Sequence, residues 1–171
     1  MTFTLNEEVE QDLRNRITGN CGETGGFFMA FESWHRLILY SSVFFVFFGI
    51  TSALAPYSGL FDFWIDAMNE AFFSAGISTE ANQLRGFLMG PLGGTIAGSY
   101  MLQTFVVAVP FKRREPWAWH AVLWPMLLWF VVDSAVSVAH GAWFNVYLVN
   151  IMPLILFGIP LAATRSAFKA N

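Results

Sequence analysis

Polar and apolar positions fall in long blocks along this chain. Four blocks are predominantly apolar over residues 37–56, 86–111, 117–139 and 144–163. Each reaches the roughly 20 residues that a helix needs to cross the hydrocarbon core. None alternates with period two, and backbone groups in hydrocarbon must be satisfied within the segment, so each block predicts a transmembrane helix. Between the first two blocks, "LFDFWIDAMNEAFF" sets Phe61, Trp64, Ile65, Met68 and Phe72 on one helical face. Asp62, Asp66 and Glu70 take the other face. This predicts an amphipathic helix over about 60–73, lying on the outer membrane surface or capping the bundle.

Ahead of the first block, Thr4 and Glu7 fit a capping box, and Leu5, Val9, Leu13 and Ile17 form a thin apolar stripe. These predict a short cytoplasmic helix, and "GNCGETGG" predicts a break after it. The expected organisation is a cytoplasmic segment, 1–35, followed by a four-span membrane domain, 36–171. The fold class is an all-α integral membrane protein, a four-transmembrane-helix bundle.

Composition agrees. Hydrophobic residues make up 56 % of the chain and charged residues only 12 %, about half the charge of an ordinary soluble domain. The charge distribution adds an orientation. Arg14, Arg16 and Arg36 precede the first span, Lys112, Arg113 and Arg114 separate the second from the third, and Arg165 and Lys169 follow the fourth. Arg85 alone falls on the other side. The positive-inside rule then places both termini in the cytoplasm and the chain, multi-pass, in an inner (plasma) membrane. Trp117, Trp119 and Trp143 stand where interfacial aromatic anchors belong. No basic run suggests nucleic acid, a lone Cys21 excludes an internal disulfide, and the acidic N-terminus lacks a signal-peptide pattern, so no cleaved signal is expected. The layout looks like that of many small bacterial inner-membrane proteins, and no named family attaches to particular residues.

The second span carries a ladder. Gly86, Gly90, Gly94 and Gly98 recur every four residues and lie along one helix face. Such a face admits close approach by another helix of this chain, by a neighbouring subunit or second copy, or by a flat cofactor ring. Pro91 within it predicts a kink or a freed carbonyl.

One carboxylate sits inside the third span. Asp133 must face protein and find a partner, because a charge near the bilayer centre costs about 2.5–3.5 kcal/mol on insertion scales. The turn "HGAWFN" is short, so the last two helices run antiparallel and adjacent. With a pivot near Gly141 and Ala142, Asp133 falls level with Asn150. Ser137 and His140 follow Asp133 on its face, and Thr51 of the first span is at the same depth. Three readings are open for this column: a structural docking contact, a ligand pocket lidded by the surface helix, and a proton path entered at His140.

Other chemistry finds little support. His35 and His120 lie near the cytoplasmic ends of two spans, where haem ligation competes with ordinary interfacial placement. No zinc spacing, phosphate loop, nucleophile elbow or CxxC occurs. A lipid, quinone or pigment is compatible with the composition and supported by no motif. The sequence reading therefore favours a non-enzymatic accessory subunit, packing in a larger membrane complex or with itself through its glycine face. The second reading is a membrane-embedded ligand- or lipid-binding protein, or an enzyme, with its pocket at Asp133, Asn150 and His140.

Overall fold

The computed structural model describes residues 7–168, with side chains described from Ala30 onward. Helices account for nearly all of it, and no strand occurs among the described residues. Helix α1 runs over Glu7–Leu54. A short 3-10 turn, Gly59–Phe61, leads into α2, Asp62–Phe72. Helix α3 covers Thr79–Phe111, α4 covers Pro116–Ala139 and α5 covers Trp143–Phe168. Four segments are long and apolar enough to cross a membrane: Ala30–Leu54 of α1, and α3, α4 and α5. These four fit a small multi-pass membrane protein, with α2 outside the spans as the amphipathic pattern predicts.

The predicted break at "GNCGETGG" is absent, because α1 continues through it as one helix. Interior glycines cost about 1 kcal/mol each relative to alanine. Extending a helix from a span already formed avoids a second nucleation step, which is the larger barrier. The side chains of the N-terminal apolar stripe and of Cys21, with Thr4 and Lys169, lie outside those described.

Helices α1 and α3 cross closely, and α1 packs its other side on α5, which in turn packs along α4. The shared core lies toward the end where α1 enters: Ile38, Val107, Phe111, Val122, Phe157 and Leu161 are almost fully buried there. That end also carries Arg36, Lys112, Arg113, Arg114 and Arg165, and is called the basic end below. Arg114 lies over the Phe31 ring at 4.6 Å, and Arg165 over Trp119 at 5.9 Å. The opposite end, with α2, carries Asp62, Asp66, Glu70 and Glu80, and is called the acidic end.

The α1/α3 crossing rests on a glycine pair outside the predicted ladder. A Cβ on Gly49 would stand 2.6 Å from the Ala97 nitrogen and 2.7 Å from the Gly93 oxygen, and a Cβ on Gly93 would collide with Gly49 and Ala53 backbone. Only hydrogen side chains permit this backbone-to-backbone approach. On the ladder itself, Gly86 receives the Tyr57 ring, while Gly90, Gly94 and Gly98 have nothing within 4 Å. Packing among the described residues therefore does not use those three. Helix α3 is the least covered span: 11 % of its apolar window is buried, against 39 % for α1.

Two π-helical turns interrupt the spans, at Val107–Phe111 and at Val146–Asn150. Pro110 lies in the first and Pro153 three residues after the second. Proline has no N–H to donate and its ring crowds the preceding turn, so the α-ladder widens locally. At the first turn the Val107 carbonyl is met by His35 Nε2 at 3.0 Å. A carbonyl only accepts, so Nε2 carries the hydrogen. His35 is buried between Phe31 and Phe111, and its Nδ1 has no partner among the described residues. Its role here is to satisfy backbone in the bundle interior.

Candidate functional site

The site is built on the hairpin of α4 and α5. Gly141 turns the chain with φ of 73°, a left-handed value that glycine adopts without Cβ strain. The amide of Ala142 then caps the Ser137 carbonyl at 2.8 Å. This tight reversal sets α5 back along α4. The π turn of Val146–Asn150 follows at once, and its last residue, Asn150, is fully buried against α4.

Three donors converge on one oxygen of Asp133. Asn145 Nδ2 donates to Asp133 Oδ1 at 2.7 Å, Asn150 Nδ2 at 3.1 Å and the Ser137 hydroxyl at 3.1 Å. Asn145 Nδ2 also donates to Ser137 Oγ at 2.8 Å, and Asn150 Nδ2 to Ser134 Oγ at 3.1 Å. The network extends to the surface helix, where Trp64 Nε1 donates to Asn145 Oδ1 at 2.9 Å. One carboxylate thus joins α4 to α5 and, through Asn145, to α2. The amide oxygen of Asn150 is buried and has no donor among the described residues.

The expected residues divide. Asp133, Asn150 and Ser137 are brought together. His140 is exposed, and its Nδ1 donates to the Val136 carbonyl of its own helix at 2.9 Å. Thr51 is not part of the cluster: its hydroxyl bonds the Phe47 carbonyl one turn back at 2.8 Å. Equal depth placed it level with Asp133, but α1 packs chiefly on α3 and α5, not on α4. His120 is exposed at the basic end, edge-on to Trp119 at 5.0 Å. No group of three or more potential metal-ligating side chains occurs among the described residues.

Sequence reasoning missed Asn145 and Trp64 as members of the network. Asn145 reads as a turn residue and Trp64 as part of an apolar face. The available signal was the pair of amides, Asn145 and Asn150, on the helix that follows the turn after the span's lone acid.

Above this network lies an open groove of about 290 Å³. Trp64, Met68 and Phe72 of α2 form one wall. Val136, Ser137 and His140 of α4, with Ala142, Phe144 and Asn145 of the turn, form the other. Asp133 stands directly beneath, one hydrogen bond from Asn145. The groove is open and almost wholly apolar, with Trp64, Ser137, His140 and Asn145 as its few polar members, and apolar walls with a few placed polar groups are the general form of a small-molecule site.

No protein-family model, curated protein or solved structure matches the chain.

Proposed function

We propose that the protein is a small subunit of a membrane assembly, associating with another transmembrane chain or a second copy along the glycine face of α3. The observation that carries this reading is the open space at Gly90, Gly94 and Gly98 on the least covered span. In lipid, helix association depends on close packing of small residues, and these three are left unused by the chain's described residues. Thr95 and Ser99 are exposed on the same helix and keep the surface shallow. The orientation follows from charge: the basic end faces the cytoplasm of a bacterial inner membrane and α2 lies on the outer surface. The test is Gly94→Leu, compared with wild type after mild detergent extraction from native membranes. The variant inserts normally and loses its larger species on a native gel. Unchanged migration refutes the reading.

A second reading has an observation of its own. The groove between α2 and the α4–α5 turn, set over the Asp133 network, supports binding of a small molecule or lipid at the outer leaflet. Mass spectrometry of organic extracts of the purified protein tests it. A stoichiometric compound retained by wild type and lost with Asn145→Ala supports it; extracts that match empty detergent controls count against it.

A further inference from the structure

The side chains of the groove have given away their hydrogens. Trp64 Nε1 donates to Asn145, and both Asn145 amide hydrogens go to Asp133 and Ser137. The Ser137 hydroxyl donates to Asp133, and His140 Nδ1 to the Val136 carbonyl. Those four residues are the polar members of the lining. Every side-chain N–H and O–H on the groove wall is therefore spent inside the protein. What stays open is acceptor capacity and π surface. With Nδ1 donating, the tautomer of His140 that carries no hydrogen on Nε2 leaves that lone pair to accept. Trp64, Phe72 and Phe144 present aromatic rings, whose faces attract cations.

The field at this end has the same sign. Among the described residues of the acidic end, Asp62, Asp66, Glu70 and Glu80 oppose Arg85 alone. The Arg85 guanidinium is held by the amide oxygens of Asn69 and Asn82 and does not line the groove. An anion entering here meets no free side-chain donor among the lining residues; an ammonium group meets ring faces and the Nε2 lone pair of a neutral His140, at an end of the molecule whose described charges are mostly acidic.

Resting on the second reading above, we infer that the groove is a recognition site for a primary ammonium group carried on a small apolar body. Its volume of about 290 Å³ accommodates a group of this kind. The amine is carried either by a free organic ammonium ion or by an aminated lipid headgroup, and both offer the same N–H donors and charge.

The experiment uses the full-length protein in phosphatidylcholine nanodiscs, titrated calorimetrically with benzylammonium, benzyl alcohol and benzoate. Benzylammonium and benzyl alcohol share a ring and a methylene arm, and benzoate sets an anionic carboxylate directly on the same ring. The expected order is benzylammonium tightest, benzyl alcohol at least about tenfold weaker and benzoate without measurable binding. Phe144→Leu keeps the wall apolar but removes a ring face, and weakens benzylammonium about tenfold with its helical circular dichroism unchanged. Nanodiscs containing phosphatidylethanolamine that compete with benzylammonium place the amine on a lipid; failure to compete leaves the free ion as ligand. Equal or tighter binding of benzyl alcohol or benzoate, lost in Phe144→Leu, overturns the ammonium assignment and leaves a binding groove. Absence of binding by all three probes overturns both readings.

Discussion

Trp64 and Asn145 join α2 to the α4–α5 hairpin through one hydrogen bond of 2.9 Å. Asn145 passes the connection inward, because the same amide donates to Asp133 and to Ser137. The position of α2 is thus tied to the half-buried carboxylate beneath it. Apolar burial of Phe61 and Ile65 holds the helix down, and the polar link fixes where its C-terminal half sits.

Asn145→Ala removes that link. The variant leaves α2 attached by its apolar face alone, so hydrogen exchange across 62–72 speeds up while the spans stay protected. Global stability falls by about 1–3 kcal/mol, since Asp133 keeps the Asn150 and Ser137 donors. Exchange measured by mass spectrometry in detergent checks this. Unaltered protection of α2 means that the Trp64 contact contributes nothing to its docking.

Two substitutions at Asp133 separate shape from hydrogen bonding. Asp133→Asn retains an acceptor oxygen for the three converging donors and costs less than about 2 kcal/mol. Asp133→Leu strands those donors in an apolar interior and costs at least about 3 kcal/mol, summing penalties of order 1 kcal/mol or more for each donor. The two variants are compared by unfolding titration in mixed micelles. Similar losses for both show that the network is not what the acid contributes.

The extent to which this was legible in sequence follows from which physical constraint each feature obeys. Spans are set by apolar run length, and α2 by its helical period, so both could be read directly. The Asp133–Asn150 contact was legible because a tight turn leaves one register for two antiparallel helices. Thr51 was misassigned because depth in a bilayer specifies level, not neighbour, and no short turn links α1 to α4. Gly93 was overlooked beside a regular ladder, although Gly49 on the first span was its match in small size. The π turn that sets Asn145 and Asn150 against the acid arises from a local widening of the helix, which a uniform period of 3.6 residues does not represent.

His35→Phe tests the first π turn. Phenylalanine preserves stacking with Phe31 and Phe111 and removes only the donor to Val107. The stranded carbonyl costs about 1–3 kcal/mol. The expected result is a lower unfolding midpoint with an unchanged far-ultraviolet spectrum. Equal or greater stability of the variant means that the carbonyl finds another donor, such as water from the basic end.

Gly93 and Gly94 are adjacent on α3 and point to opposite fates. Gly93 is buried against the backbone of α1, so even Gly93→Ala forces the α1/α3 crossing apart. Overpacking of this kind typically costs about 1–3 kcal/mol, and backbone cannot move aside as a flexible side chain does. Gly94→Ala meets open space and gains helix propensity of about 1 kcal/mol relative to glycine. The monomer therefore loses stability with the first substitution and not with the second. Association behaves in the reverse manner if the ladder is an interface: Gly94→Leu disperses the assembly while the monomer unfolds at the wild-type midpoint. Unfolding titrations on both alanine variants, paired with native gels of Gly94→Leu, separate the two roles. A Gly94→Ala monomer destabilised as much as Gly93→Ala places the ladder inside the fold and removes the free face on which association depends.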